Sequence, residues 1–251
     1  MVERLFPHGP LDVLRQVLLF ASVYYAYRLT RGAVDDPQGA SIAFQHARDL
    51  ISIERSTGLF FETHVQDFTG GWDLAMDFAS WIYINAQTTI VLAALVFIYC
   101  FHNERFYFVR NMFMVAMGLA LIGYMVYPTA PPRFFPEWGF QDAVSNFTGV
   151  DPNDVKVNAL FNPYAAVPSM HCCNAILIGW SLAQMCKWRP ARIAWALYPL
   201  LMVWVVVATA NHWTLDAVLG GATAAVSFYA ARWLARARPA AWAFSPAKAT
   251  A

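Results

Sequence analysis

Six stretches of this chain are apolar for about the length that a helix needs to cross a bilayer, and this pattern constrains the fold more than any other feature. A hydrocarbon layer about 30 Å thick requires about 20 apolar residues per helical crossing. The runs lie at about Val13 to Leu29, Met76 to Phe101, Phe106 to Tyr127, Ser169 to Cys186, Ile193 to Thr209 and Leu215 to Trp233. Only 13% of the residues are charged and 59% are hydrophobic, whereas a soluble domain carries about 25% charged residues. The fold class predicted is therefore all-α: a polytopic membrane protein of six transmembrane helices. Its net charge of +1 gives no electrostatic reason for a nucleic-acid partner. Membrane lipids are the expected surroundings, and the sequence leaves the oligomeric state open.

The segments around these runs add detail. The N-terminal run is too long and aromatic for a cleaved signal and lacks a small-x-small site, so it is read as a retained first span. Between the first two runs, Ile42, Ala43, Leu50, Ile51 and Ile53 alternate with Gln45, Arg48, Asp49, Glu54 and Arg55 at helical spacing. This predicts an interfacial amphipathic helix capped by Ser41, stopped by Gly58 and suited to a lid over a lipid's path. Residues 1–238 form one membrane domain with a core at about 76–233, and the Ala/Pro-rich tail, 239–251, is expected to be disordered. Cys100, Cys172, Cys173 and Cys186 lie in or beside apolar runs, where small buried hydrophobes are expected rather than disulfides.

Six spans put both termini on one side. Arg4, Arg15, Arg105, Arg110, Lys187, Arg189, Arg192, Arg232, Arg236, Arg238 and Lys248 fall on that side, against Arg28, Arg31, Arg48, Arg55, Arg133 and Lys156 on the other. The excess predicts cytoplasmic termini. Arg110 then sits at the cytoplasmic end of the third span as an interfacial anchor. Ala217, Gly221 and Ala225 form a small-residue stripe suited to helix packing.

Three polar motifs meet the opposite, extracytoplasmic face. "PSMH", Pro168 to His171, starts the fourth span, with Pro168 suited to the first helical position, where its missing N–H costs nothing. A helix N-terminus of this kind offers unpaired amides to an anion. "NHWTLD", Asn211 to Asp216, starts the sixth span, with Asn211 placed to cap it. His212 and Asp216 are four residues apart and share a helical face, so the carboxylate can hold one imidazole nitrogen while the other points outward. "PTAPPR", Pro128 to Arg133, follows the third span and opens a long loop to Pro168. Two histidines, a carboxylate and a guanidinium at a helix N-terminus suit phosphoryl transfer through a phosphohistidine. A bell-shaped pH profile is expected of such a pair. No cofactor and no metal is called for.

These three motifs, in this order, resemble those of the type 2 phosphatidic acid phosphatase superfamily, in the branch that includes fungal inositol phosphorylceramide synthase. The resemblance extends from about Glu54 to Gly221. It implies a six-span helical core in which His212 attacks phosphorus, Asp216 orients it and His171 protonates the leaving alcohol. It also implies phosphate contacts from Ser169 and nearby amides, with Arg133 and Lys156 as candidate cations. The chain departs from the broader family at Val126 and Val206, where basic residues are usual, at Met170 where glycine is usual, and at Phe134 where proline follows the arginine. These departures lean toward the inositolphosphotransferase branch. The activity implied is transfer of a phosphoalcohol such as phosphoinositol between lipids, with dephosphorylation of phosphatidic acid or a prenyl diphosphate as the alternative. Readings from other classes are a haem- or metal-binding membrane protein with His171 and His212 as ligands, and a transporter.

Overall fold

In a computed structural model, residues 7–32, 37–150 and 163–238 are described, and among them the regular structure is helical, with one isolated bridge between Thr129 and Ala165. The helices are α1 (Pro10–Gly32), α2 (Pro37–Thr57), α3 (Glu62–Gly70), α4 (Asp73–Asn85), α5 (Val91–Phe101), α6 (Asn103–Val126), α7 (Ala143–Thr148), α8 (Met170–Met185), α9 (Arg189–Ala208) and α10 (Thr214–Ala237). A π-helical turn, Ala86–Ile90, joins α4 to α5 at a 53° bend. Such turns are an ordinary cause of helix kinks. The tail and Lys156 lie outside the described residues.

The protein is an all-α membrane protein. Helices α6, α9 and α10 are long and apolar enough to cross a bilayer, and α4 with α5 makes a fourth crossing if the bent pair is one span. The other two predicted spans fall on α1 and α8. Helix α8 has 16 residues, about 24 Å at 1.5 Å per residue, because it starts at a cap buried inside the bundle. Among the helices, α8 packs along α9 and α10, and α6 packs along α10 and α8.

Lipid tails are as apolar as leucine, so polar contacts and close packing must fasten helices within a membrane. Helix α1 is fastened to α5 and α6 by a buried network. Asp12 accepts hydrogen bonds from the hydroxyls of Tyr99 and Tyr107, both at 2.8 Å, and from Gln16 at 3.0 Å. Arg110 donates to Gln16 at 3.0 Å and to Asn111 at 2.7 Å, and its guanidinium lies 5.2 Å from the centre of the Tyr107 ring. Arg110 is therefore no interfacial anchor: its exposure is 0%. A guanidinium with this many partners is held inside because hydrogen bonds replace the hydration it gave up.

The amphipathic helix forms as α2, but it begins at Pro37, so Ser41 lies within it and does not cap it. Gly58 stops it as expected, at φ +73, with the Leu59 amide returning to the Glu54 carbonyl at 2.8 Å. Left-handed backbone of this kind favours glycine. The inner face of α2, made by Ala47, Leu50 and Ile51, packs on Phe135, Phe140, Val167 and Trp213. Helix α2 is thus a roof over the loops at one end of the bundle, pinned by the Ala130 amide on the Ala43 carbonyl at 3.1 Å. The His46 ring, hydrogen-bonded to the Pro128 carbonyl at 2.8 Å, adds a second pin.

Candidate active site

The turn between α9 and α10 sets the first histidine. Helix α9 ends at Ala208, and the amides of Asn211 and His212 both return to the Val206 carbonyl, at 3.0 and 3.2 Å. Ala210 adopts φ 54, which tightens the turn. At the head of α10, Asp216 Oδ2 accepts from the Trp213 amide at 2.9 Å and lies 3.3 Å from His212 Nδ1. One carboxylate oxygen thus closes the helix N-terminus and holds the imidazole. Asn211 is not the cap. Its side chain is bonded to Thr209, and it accepts from Nη1 of Arg133. Trp213 is fully buried, gives its indole N–H to the Ala130 carbonyl at 2.9 Å and meets Phe135 and Phe140 edge to face. That packing locks the residue next to His212.

The second histidine is set by the start of α8. Ser169 is the N-cap, accepting from the Cys172 amide at 3.4 Å, and its own amide donates to the Asp216 carbonyl at 3.0 Å. Pro168 therefore precedes the cap rather than opening the helix. The His171 ring stacks on Tyr83 at 4.3 Å and stands 5.6 Å, centre to centre, from the His212 ring at 61°. The close approach of α8 to α10 depends on Gly220, where any Cβ would collide with the Ser169 carbonyl. The packing stripe of α10 is accordingly Ala217, Gly220, Ala224, Ser227 and Ala231, all buried, whereas Ala225 is exposed and Gly221 only partly covered.

Of the residues singled out in the sequence, His171, His212, Asp216 and Arg133 come together. The Arg133 amide donates to the Ala210 carbonyl at 2.9 Å. Its guanidinium bonds Asn211, lies 3.7 Å from Asp142 and sits over the Phe134 ring at 4.9 Å. Ser169 is beside them, with 0% exposure and its oxygen engaged as the cap. Burial, and then the nearby Arg133 guanidinium, push the His212 imidazole down to about 3, opposed by a hydrogen bond that the charged ring makes to the Ala166 backbone. His212 is neutral at ordinary pH. With Asp216 accepting at Nδ1, the tautomer that carries its proton there leaves the lone pair on Nε2, as a nucleophile requires.

Two residues escaped the sequence reading. Glu54 reads as part of the polar face of α2 and Glu62 belongs to no motif, yet both have 0% exposure. Glu62 Oε1 accepts from the Thr214 amide at 2.8 Å and Glu54 Oε1 from the Leu215 amide at 2.7 Å. The signal for Glu54 was its register, three and four residues after Ile51 and Leu50 on the buried stripe. Burial first, and then the Glu62 carboxylate, push the Glu54 carboxyl up to about 9.

An all-α membrane protein with paired histidines under a helical roof at one end of its bundle is thus defined. A family model of the PAP2 superfamily matches residues 48–230, and the chain belongs to that superfamily. The match runs from the middle of α2 through most of α10, so it takes in both histidines and all three motifs. No curated protein and no solved structure matches. Membership supports an enzyme of the lipid phosphatase and phosphotransferase type.

Proposed function

We propose that the protein moves a phosphorus-containing headgroup through a covalent intermediate on His212. The observation that carries this is the pairing of a neutral, Asp216-held His212 with His171, ring centres 5.6 Å apart. His212 Nε2 forms a bond to phosphorus as the phosphorus–oxygen bond to the leaving alcohol breaks, and His171 supplies the proton that the departing oxygen takes. In the second half, water or an acceptor hydroxyl attacks phosphorus and gives its proton to His171, and the phosphorus–nitrogen bond breaks. Arg133 neutralises phosphate charge, and the amides at the start of α8 supply further donors.

The donor is a phosphodiester lipid, and the reaction is transfer of a phosphoalcohol such as phosphoinositol to a lipid hydroxyl, as in the inositol phosphorylceramide synthase branch. Charge supports this reading. Among the described residues Arg133 is the guanidinium at the site, and it is shared with Asp142. A phosphodiester carries one negative charge, whereas a monoester or diphosphate carries about two or more at neutral pH. Lys156 is kept as a second candidate cation, and Ser169 acts by holding the start of α8. Residues 1–238 are taken as one six-span domain with cytoplasmic termini and an extracytoplasmic site, on the balance of Lys and Arg.

The test incubates purified protein separately with phosphatidylinositol, phosphatidic acid and a prenyl diphosphate, each with and without a hydroxylated lipid acceptor, followed by mass analysis. An acceptor-dependent phosphoinositol lipid is the expected product. Inorganic phosphate from the monoester or diphosphate, with no acceptor-dependent product, would show a phosphatase instead.

A further inference from the structure

Three carboxylates converge on the N-terminus of α10, and together they take three successive amides at its head. Asp216 holds Trp213, Glu62 holds Thr214 and Glu54 holds Leu215. The second oxygens, Oε2 of Glu54 and Oε2 of Glu62, are buried without another partner among the described residues, while the two side chains are within hydrogen-bonding reach of each other. Full ionisation would place three negative charges against a helix end worth about half a positive one, which burial does not tolerate. A single proton on the pair lets one carboxyl donate where two ionised groups could only accept. The described residues contain no group of three His, Cys, Asp or Glu arranged to hold a metal ion instead.

We propose that Glu54 and Glu62 are positioning residues of the phosphotransfer site, a proton-sharing carboxyl pair that occupies the Thr214 and Leu215 amides and so leaves the Asp216 carboxylate to His212. Adjacent unpaired amides would otherwise compete for Asp216 and draw it from the imidazole. The pair also ties the roof to the catalytic turn, because Glu54 comes from α2 and Glu62 from α3. The groups facing Glu54 are Glu62 on α3 and Asp216 on α10. His212 lies beyond Asp216, Arg133 is engaged with Asn211 and Asp142, and Arg48 and Arg55 of α2 are exposed. The raised Glu54 carboxyl agrees with a proton held at neutral pH.

This rests on the phosphohistidine reading, and the experiment separates the two. Glu54→Ala, Glu62→Ala, Glu54→Gln and His212→Ala are assayed in lipid vesicles for turnover and KM with whichever of phosphatidylinositol, phosphatidic acid and prenyl diphosphate the wild type consumes, and the infrared carbonyl band of a protonated carboxyl is recorded at neutral pH. The alanine variants are expected to lose about tenfold to a hundredfold in kcat with KM within about twofold, because geometry and not binding is lost. Glu54→Gln, whose amide can still accept from Leu215 and donate to Glu62, is expected within about threefold of wild type. A protonated-carboxyl band present in the wild type is expected to be missing in Glu54→Gln and to titrate away as pH rises through about 9. Alanine variants with wild-type kcat, a glutamine variant no better than alanine, or an unchanged band in Glu54→Gln would each overturn the pair. If the alanine variants do not fold, the glutamine variant's turnover and band decide. Activity in His212→Ala would instead overturn the phosphohistidine reading itself.

Discussion

Both ends of the helical bundle bury charge, but they do so differently. Around Asp12 and Arg110 each charged group is met by several neutral donors or acceptors. Around His212 three acids share one helix end, and Glu54 Oε2, Glu62 Oε2 and Asp216 Oδ1 are left without partners among the described residues. The first arrangement has nothing left to bind and holds α1 to its neighbours. The second crowds acceptors together without a matching side-chain donor for each among the described residues, an arrangement that costs stability and is retained where chemistry is done. At these two ends, fastening and function differ in whether the carboxylate oxygens find donors.

Substitutions at the two ends should behave oppositely. His212→Ala is expected to lower turnover by about 10⁴-fold or more, as loss of a nucleophile does, with the thermal unfolding midpoint close to wild type. Asp12→Ala is expected to do the reverse. Leaving the Tyr99, Tyr107 and Gln16 donors without the buried carboxylate they share should cost about 3 kcal/mol or more of stability, seen as a lower unfolding midpoint in detergent, with turnover per folded molecule unchanged. A folded Asp12→Ala protein with collapsed turnover would mean that the fastening end takes part in the chemistry.

Smaller changes sharpen the contrast. Gly220→Ala pushes a methyl against the Ser169 carbonyl, so α8 must shift and carry His171 with it. Displacement on the scale of an ångström is expected to cost about tenfold to a hundredfold in kcat, and a wild-type rate would show that the spacing of the two histidines is not critical. Acid should act through the site end. Because His212 sits near 3 when folded against an ordinary 6.5, its stabilising effect is present above 6.5 and is lost as pH falls toward 3. Between about pH 6.5 and 5 the wild type should lose about 1–2 kcal/mol more stability than His212→Ala, measured by denaturant unfolding at each pH. The smallest effect is expected from Ile53→Glu, since that side chain is 51% exposed, whereas Ile51→Glu puts a charge at a position only 3% exposed. The first should raise the lipid requirement slightly and the second should unseat α2. Equal losses on lipid and short-chain soluble substrates would make α2 scaffold alone.

Much of this was legible in the chain because apolar length and motif spacing are local properties. The runs marked the helices, and the four-residue step from His212 to Asp216 gave a contact that the structure retains, although His212 lies in the turn before the Trp213 cap and not on a face of α10. What failed to show were features that depend on which faces meet. Arg110 looks interfacial until α1 brings Gln16 to it and the Tyr107 ring lies beside it. Glu54 looks solvated until α2 is laid on the catalytic turn, although its place after Leu50 and Ile51 hinted otherwise. The small stripe of α10 runs through Gly220 and not Gly221, because Gly220 is the residue that faces Ser169. Capping errors at Ser41, Pro168 and Asn211 share a cause: residue type names a good cap, but the turn geometry decides where the helix starts.

The most direct measurement is to stop the reaction with the donor lipid during turnover without acid, digest the protein and locate phosphorus by mass spectrometry. A phosphohistidine chemistry predicts a phosphorus adduct on His212 that accumulates in His212-intact protein when the acceptor is withheld and disappears when acceptor is added. An adduct on another residue, or full turnover with no adduct on His212 at any time, would contradict it.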